Sequence, residues 1–153
     1  MSDELSSKLK ERHEAKGEVS LILRDEKGKV IDKRETSNMI VTTGRTLVAD
    51  LFRGGGEKPV SYIAVGEGAT GPTPDDTKLE KEVGRKTIES AVEKTTTVLK
   101  VNFDYKEANG NLNEAGLFNS ETEGVMYSRV VFGPPSIAKT EKFTFTLVWR
   151  VTF

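Results

Sequence analysis

The final twelve residues constrain this chain more than any other stretch. In Lys142-Phe-Thr-Phe-Thr-Leu-Val-Trp-Arg-Val-Thr-Phe153 every odd position is apolar. Phe143, Phe145, Leu147, Trp149, Val151 and Phe153 therefore share one side of a β-strand, and Lys, Thr, Val and Arg share the other. Unbroken alternation of this length predicts a long strand with one buried face. It also assigns Trp149 to core packing rather than to stacking on a sugar or base. A strand so placed at the chain's end is expected to tolerate little C-terminal extension. One apolar strand face needs a second layer to cover it, so the rest of the chain must supply a sheet.

The rest reads accordingly. Val19, Leu21 and Leu23 alternate, and Asp25-Glu-Lys-Gly28 is a turn with glycine last, so residues 18–36 form a hairpin. Its return strand, Val30 to Thr36, is so polar that it belongs at a sheet edge. Asn38 to Val41 is a short buried strand. Leu47, Val48, Leu51 and Phe52 then fall on one face of a helix, with Thr43 as its N-cap and Gly54-Gly55-Gly56 as its stop. This is expected to be the one well-packed helix. Val60–Val65 is apolar almost throughout, as in a strand covered on both faces. Further strands are expected at Thr87–Val92, Val98–Tyr105, Leu112–Phe118 and Val125–Phe132, with a turn at Ala108-Asn-Gly-Asn111. The fold class is mainly β: an antiparallel β-sandwich of about eight strands with one short packed helix and an N-terminal arm. Three units are expected: an arm over 1–16, a hairpin or adapter over 17–37, and the sandwich over 38–153.

Composition narrows the chemistry. Without cysteine, disulfides, thiolate metal sites and cysteine nucleophiles are excluded, and the single histidine, His13, set in a polar charged stretch with no G-x-S-x-G elbow in the chain, argues against a Ser-His triad. The 23 Lys and Arg against 24 Asp and Glu leave a net charge of −1, which disfavours a general nucleic-acid binder. No stretch reaches the length of a membrane span, and the polar N-terminus lacks the apolar core of a signal peptide. Gly66-Glu-Gly-Ala-Thr-Gly71 matches the glycine pattern of a dinucleotide-binding turn, but Pro72-Thr-Pro-Asp-Asp76 follows where a helix must begin. The expected role of these glycines is positive φ in a surface loop. Asp75/Asp76 and Glu121/Glu123 lie in loops without the ligand spacing of a calcium loop. No catalytic residue, cofactor site or metal site is assigned. Glu114, in an otherwise uncharged strand, must be edge-exposed or paired, with Arg85 and Arg129 as candidates, or bonded to loop amides.

Several segments carry a resemblance. They are Asn38-Met-Ile-Val-Thr-Thr-Gly44, Ala49-Asp-Leu51, Ile63-Ala-Val-Gly-Glu-Gly68, Pro74, Asp76-Thr77, Glu82 and Arg85. To these add Asn113-Glu-Ala-Gly-Leu-Phe118, Ser128-Arg-Val-Val-Phe132, Pro134 and Trp149-Arg-Val-Thr-Phe153. In order and spacing they resemble a family of small structural proteins of tailed bacteriophages, of the tail, tail-fibre or capsid-decoration kind. The resemblance implies a virion component without catalytic residues, made in the host cytoplasm and placed on the particle as a symmetric homo-oligomer. The expected partners are other virion proteins of capsid or tail, with no nucleic acid and no membrane. The arm and hairpin would make the contact, through Leu5, Leu9, Lys10, Arg12 and Arg34. The alternative is a carbohydrate-binding sandwich that mediates adhesion to a surface glycan, although Tyr62, Tyr105 and Tyr127 are too few and too embedded in apolar strands to form a binding platform.

Overall fold

The computed structural model describes residues 15–153. The elements, in chain order, are β1 (Lys16–Arg24), β2 (Val30–Ser37), β3 (Met39–Ile40), helix α1 (Thr42–Phe52), β4 (Tyr62–Gly66), β5 (Glu82–Thr87) and β6 (Glu89–Glu93). They continue with β7 (Thr96–Phe103), β8 (Gly110–Leu112), β9 (Glu114–Phe118), β10 (Met126–Val131), β11 (Ile137–Lys139) and β12 (Thr144–Thr152). Two five-stranded antiparallel sheets face each other, in the orders β2-β1-β12-β7-β6 and β3-β10-β9-β4-β5. β8 and β11 pair separately. The fold is the expected antiparallel sandwich, with more strands than the eight expected among the described residues. The extra ones are short, and the single strand expected over Thr87–Val92 is a change of sheet at Ile88.

β12 lies at the centre of the first sheet, which is why its alternation is so regular. Trp149 stands between Val19 and Leu99, Leu147 between Leu21 and Val101, and Phe145 between Leu23 and Phe103. These rows of apolar side chains pack against Ile63, Val65, Ala115, Leu117 and Val130 of the second sheet. Each such buried side chain contributes about 1.5–3 kcal/mol. Phe153, the last of the series, lies past the strand and is 61% exposed. The chain passes from the first sheet to the second at Asn38 and returns at Ile88, so both flanks of the sandwich are crossed by chain.

Three expectations need correction. First, the hairpin is no adapter in front of the sandwich: β1 pairs with β12 along its whole length, and Val19, Leu21 and Leu23 are core residues. The expected boundary at 37/38 falls inside the fold. Second, the helix is not capped by Thr43. Val41 holds the N-cap position, the Thr42 N–H donates to the Pro74 carbonyl at 2.8 Å, and the Thr43 hydroxyl donates to the Met126 carbonyl at 2.8 Å. Third, α1 buries Gly44 and Leu47 rather than the whole expected stripe. Gly44 lies so close to the Tyr127 carbonyl that a Cβ there would collide with it. That close approach fixes which face meets β10 and leaves Phe52 93% exposed.

Candidate functional site

The strongest concentration of polar groups centres on Glu114, the first residue of β9, whose side chain is 0% exposed. The register places Glu114 opposite Gly66 and Ala115 opposite Val65. Because Val65 and Ala115 face the main core, Glu114 stands on the other side of the second sheet. That side is covered by residues 67–81, which run across it as a strap. Ala64, Phe118 and Met126 form a second small core beneath the strap with Leu79 and Val41. β4 is therefore covered on both faces, as its sequence predicts.

Glu114 holds the strap in place. Its Oε2 accepts from the N–H groups of Gly68 at 2.7 Å and Lys81 at 2.8 Å. Its Oε1 accepts from the Glu80 N–H at 2.9 Å and from Arg129 Nε at 3.1 Å. Of the two candidate partners, Arg129 takes the carboxylate. Arg85 instead pairs with Glu82, donates to the Ser120 and Glu123 carbonyls, and lies 3.9 Å from the Phe118 ring centroid. The pairing alternative and the loop-amide alternative are realised together. A buried carboxylate needs this saturation, because each unsatisfied lone pair would keep its desolvation cost.

Arg129 continues the network. Its Nη1 donates to Asp76 Oδ2 at 3.1 Å. Asp76 also accepts from the Thr73 N–H and hydroxyl at 2.9 and 3.0 Å. Burial pushes the Asp76 carboxyl up, but the Thr73 and Arg129 donors outweigh it and hold it below the usual carboxylate range. From Asp76 the strap reaches Pro74, whose carbonyl caps α1. One buried carboxylate thus positions a loop, and the loop positions a helix.

The glycine motif finds its explanation here. Gly66, Gly68 and Gly71 have no positive φ, contrary to expectation. Gly66 and Gly68 are required because a Cβ would run into the Lys81 carbonyl, Glu80 or the Glu114 carboxylate. Gly71 has open space around it. The close approach these glycines permit is to an internal carboxylate.

A second buried charge, Lys139, was not singled out by its sequence context. Its Nζ donates to Asn109 Oδ1 at 2.7 Å and to the carbonyls of Asp104, Thr140 and Tyr105 at 2.9, 3.2 and 3.3 Å. Burial pushes its pKa down, and Asp104, Glu107 and Glu141 partly offset this. Its work is also to fix a loop, the turn over 104–109. Among the described residues no three His, Asp or Glu side chains gather as metal ligands, and no helix is long and apolar enough to cross a membrane.

The candidate contact residues Leu5, Leu9, Lys10 and Arg12, like His13, lie outside the described residues. Arg34 lies on β2 and is held internally. It pairs with Asp32 at 2.9 Å and donates to the carbonyls of Phe132 and Pro135. It ties the edge strand to the loop after β10. None of the three tyrosines is exposed, Tyr127 being buried and Tyr62 and Tyr105 half-buried. Beside α1, a groove of about 290 Å³ is walled by Val48, Leu51, Leu99, Tyr127 and Phe153. No family model, curated protein or solved structure matches the chain, so the residues themselves must carry any functional reading.

Proposed function

We propose that this chain is a structural subunit of a tailed-phage virion, on capsid or tail, attached through residues 1–16 and the β1–β2 hairpin. The observation that carries this reading is the saturation of Glu114. The most deeply placed carboxylate meets three backbone N–H groups and a guanidinium, and its whole hydrogen-bonding capacity is committed to holding a strap on a sheet. Lys139 does the same for another loop. Such use of buried polar groups builds a rigid body, which is what a subunit needs when modest contacts are multiplied by symmetry.

The resemblance supports the same reading. The segments that carry it lie far apart in sequence, yet Gly66, Gly68, Pro74, Asp76, Glu114 and Arg129 all belong to the strap and its anchors, and Asn113 joins them by donating its N–H to the Gly66 carbonyl and its side-chain amide to the Glu67 carbonyl.

The test is mass spectrometry of particles purified from the strain that encodes the chain. The protein is expected at a stoichiometry of many copies per particle, and a variant lacking residues 1–16 is expected to fold but not to co-sediment. Absence from particles, or reproducible hydrolysis of a glycan or peptide by the pure protein, overturns the proposal.

A further inference from the structure

β2 is an outer strand of the first sheet, with β1 as its one strand partner among the described residues. The hydrogen-bonding phase of its free side follows from the register. The Asn38 N–H donates to the Gly17 carbonyl at 3.0 Å, and the same register pairs Thr36 with Val19 and Arg34 with Leu21. Even-numbered residues therefore bond to β1, because bonded and non-bonded pairs alternate in an antiparallel ladder. Lys33, Glu35 and Ser37 direct their N–H and C=O groups away from β1, toward the open side.

Their side chains stand on the outer face of the sheet, since Leu21 and its partner Arg34 are on the inner face. Lys33 and Glu35 are exposed, and neither takes an ion pair among the described residues.

We propose that β2 pairs antiparallel with β2 of a second copy of this chain about a two-fold axis at Arg34, Lys33 of each copy facing Glu35 of the other. Both residues have outward backbone groups, so each facing pair exchanges two main-chain hydrogen bonds. On the outer face, the side chains favour this register. A shift that brings Lys33 opposite Lys33, or Glu35 opposite Glu35, places like charges face to face. At the axis, each Arg34 is turned to its own Asp32 and its own Phe132 and Pro135 carbonyls. The product is a ten-stranded sheet running through both copies, with an isologous interface.

The opposite edge of the sheet does not offer this. Two β6 strands related by the same symmetry and centred on Ala91 set Glu89 against Glu93 twice. Charge on an edge normally discourages pairing. On β2 the alternation of sign discourages foreign strands and wrong registers while admitting a second copy. Such pairing goes beyond the virion reading and does not depend on it.

The experiment is sedimentation velocity on the full chain over a concentration series, at low salt and at 0.5 M salt. The wild type is expected to form a dimer that salt weakens. Lys33→Glu and Glu35→Lys are each expected to weaken it by about tenfold or more, since both facing pairs become like-charged. An equimolar mixture of the two variants recovers the dimer, because in the mixed dimer every facing pair again joins opposite charges. The double variant recovers it alone. Near-UV circular dichroism checks that each variant is folded. A wild type that stays monomeric, a dimer indifferent to both reversals, or a mixture that fails to recover overturns the proposal.

Discussion

At the scale of single residues, Glu114 shows how much of a fold one carboxylate can organise. Replacement by Gln leaves the shape but presents an NH₂ group to a cage of donors. Loss of one partner from a buried charged pair typically costs about 3–5 kcal/mol. Glu114→Gln is expected to fall in that range in urea denaturation, and a change below about 1 kcal/mol would contradict the network. Asp76 adds a dependence on pH. Its folded pKa is depressed, so near and below the ordinary carboxylate pKa the unfolded chain binds more protons than the folded one. Its stabilising contribution is complete above about pH 5, shrinks as pH falls through about 4, and is gone below the folded value. Glu67 and Glu107 are depressed in the same direction, by hydrogen bonds from the Asn111 N–H and from Lys86 respectively. Melting temperature is therefore expected to drop steeply below about pH 4, and Asp76→Asn is expected to flatten part of that drop.

At the scale of elements, what can be read from sequence is what has a period. The hairpin, its turn and β12 announce themselves because a half-buried strand repeats every two residues. The strap does not. It is held by backbone N–H groups that meet a carboxylate 46 residues away in sequence at Gly68 and 33 away at Lys81. Backbone donors leave no mark on side-chain pattern. The sequence does mark the carboxylate, as an ionisable residue in an apolar strand, and it offers Arg85 and Arg129 as candidate partners. Of the candidate contact residues, Arg34 reads as a surface cation, and only the fold brings the Phe132 and Pro135 carbonyls to it. The helix is legible as a helix but not in its orientation, because its apolar stripe suggests a broader buried face than Gly44 allows. Gly44→Val is expected to cost about 1–3 kcal/mol by forcing α1 away from the Tyr127 carbonyl. A stability equal to wild type in the same denaturation assay would show that α1 is free to shift.

At the scale of the whole molecule, the sandwich cannot be divided at residue 37. β1 shares nine paired positions with β12 and supplies a row of the core. A chain reduced to residues 38–153 is expected not to fold, and its amide proton spectrum should collapse to the dispersion of an unfolded chain. A well-dispersed spectrum would restore the hairpin to the status of a separate adapter.

The strap is also open to cleavage. Ala69, Thr70 and Gly71 are exposed at its outermost point, and anchors stand on either side at Gly68 and at Thr73–Asp76. A protease that cuts at this point leaves β1 to β4 on one fragment and β5 to β12 on the other. Yet β1 is laced to β12, β3 to β10, and β4 to both β5 and β9. The cut protein should run as two bands in a denaturing gel and as one species in a native gel. The sandwich would then serve as a self-assembling split pair, its halves interleaved through both sheets.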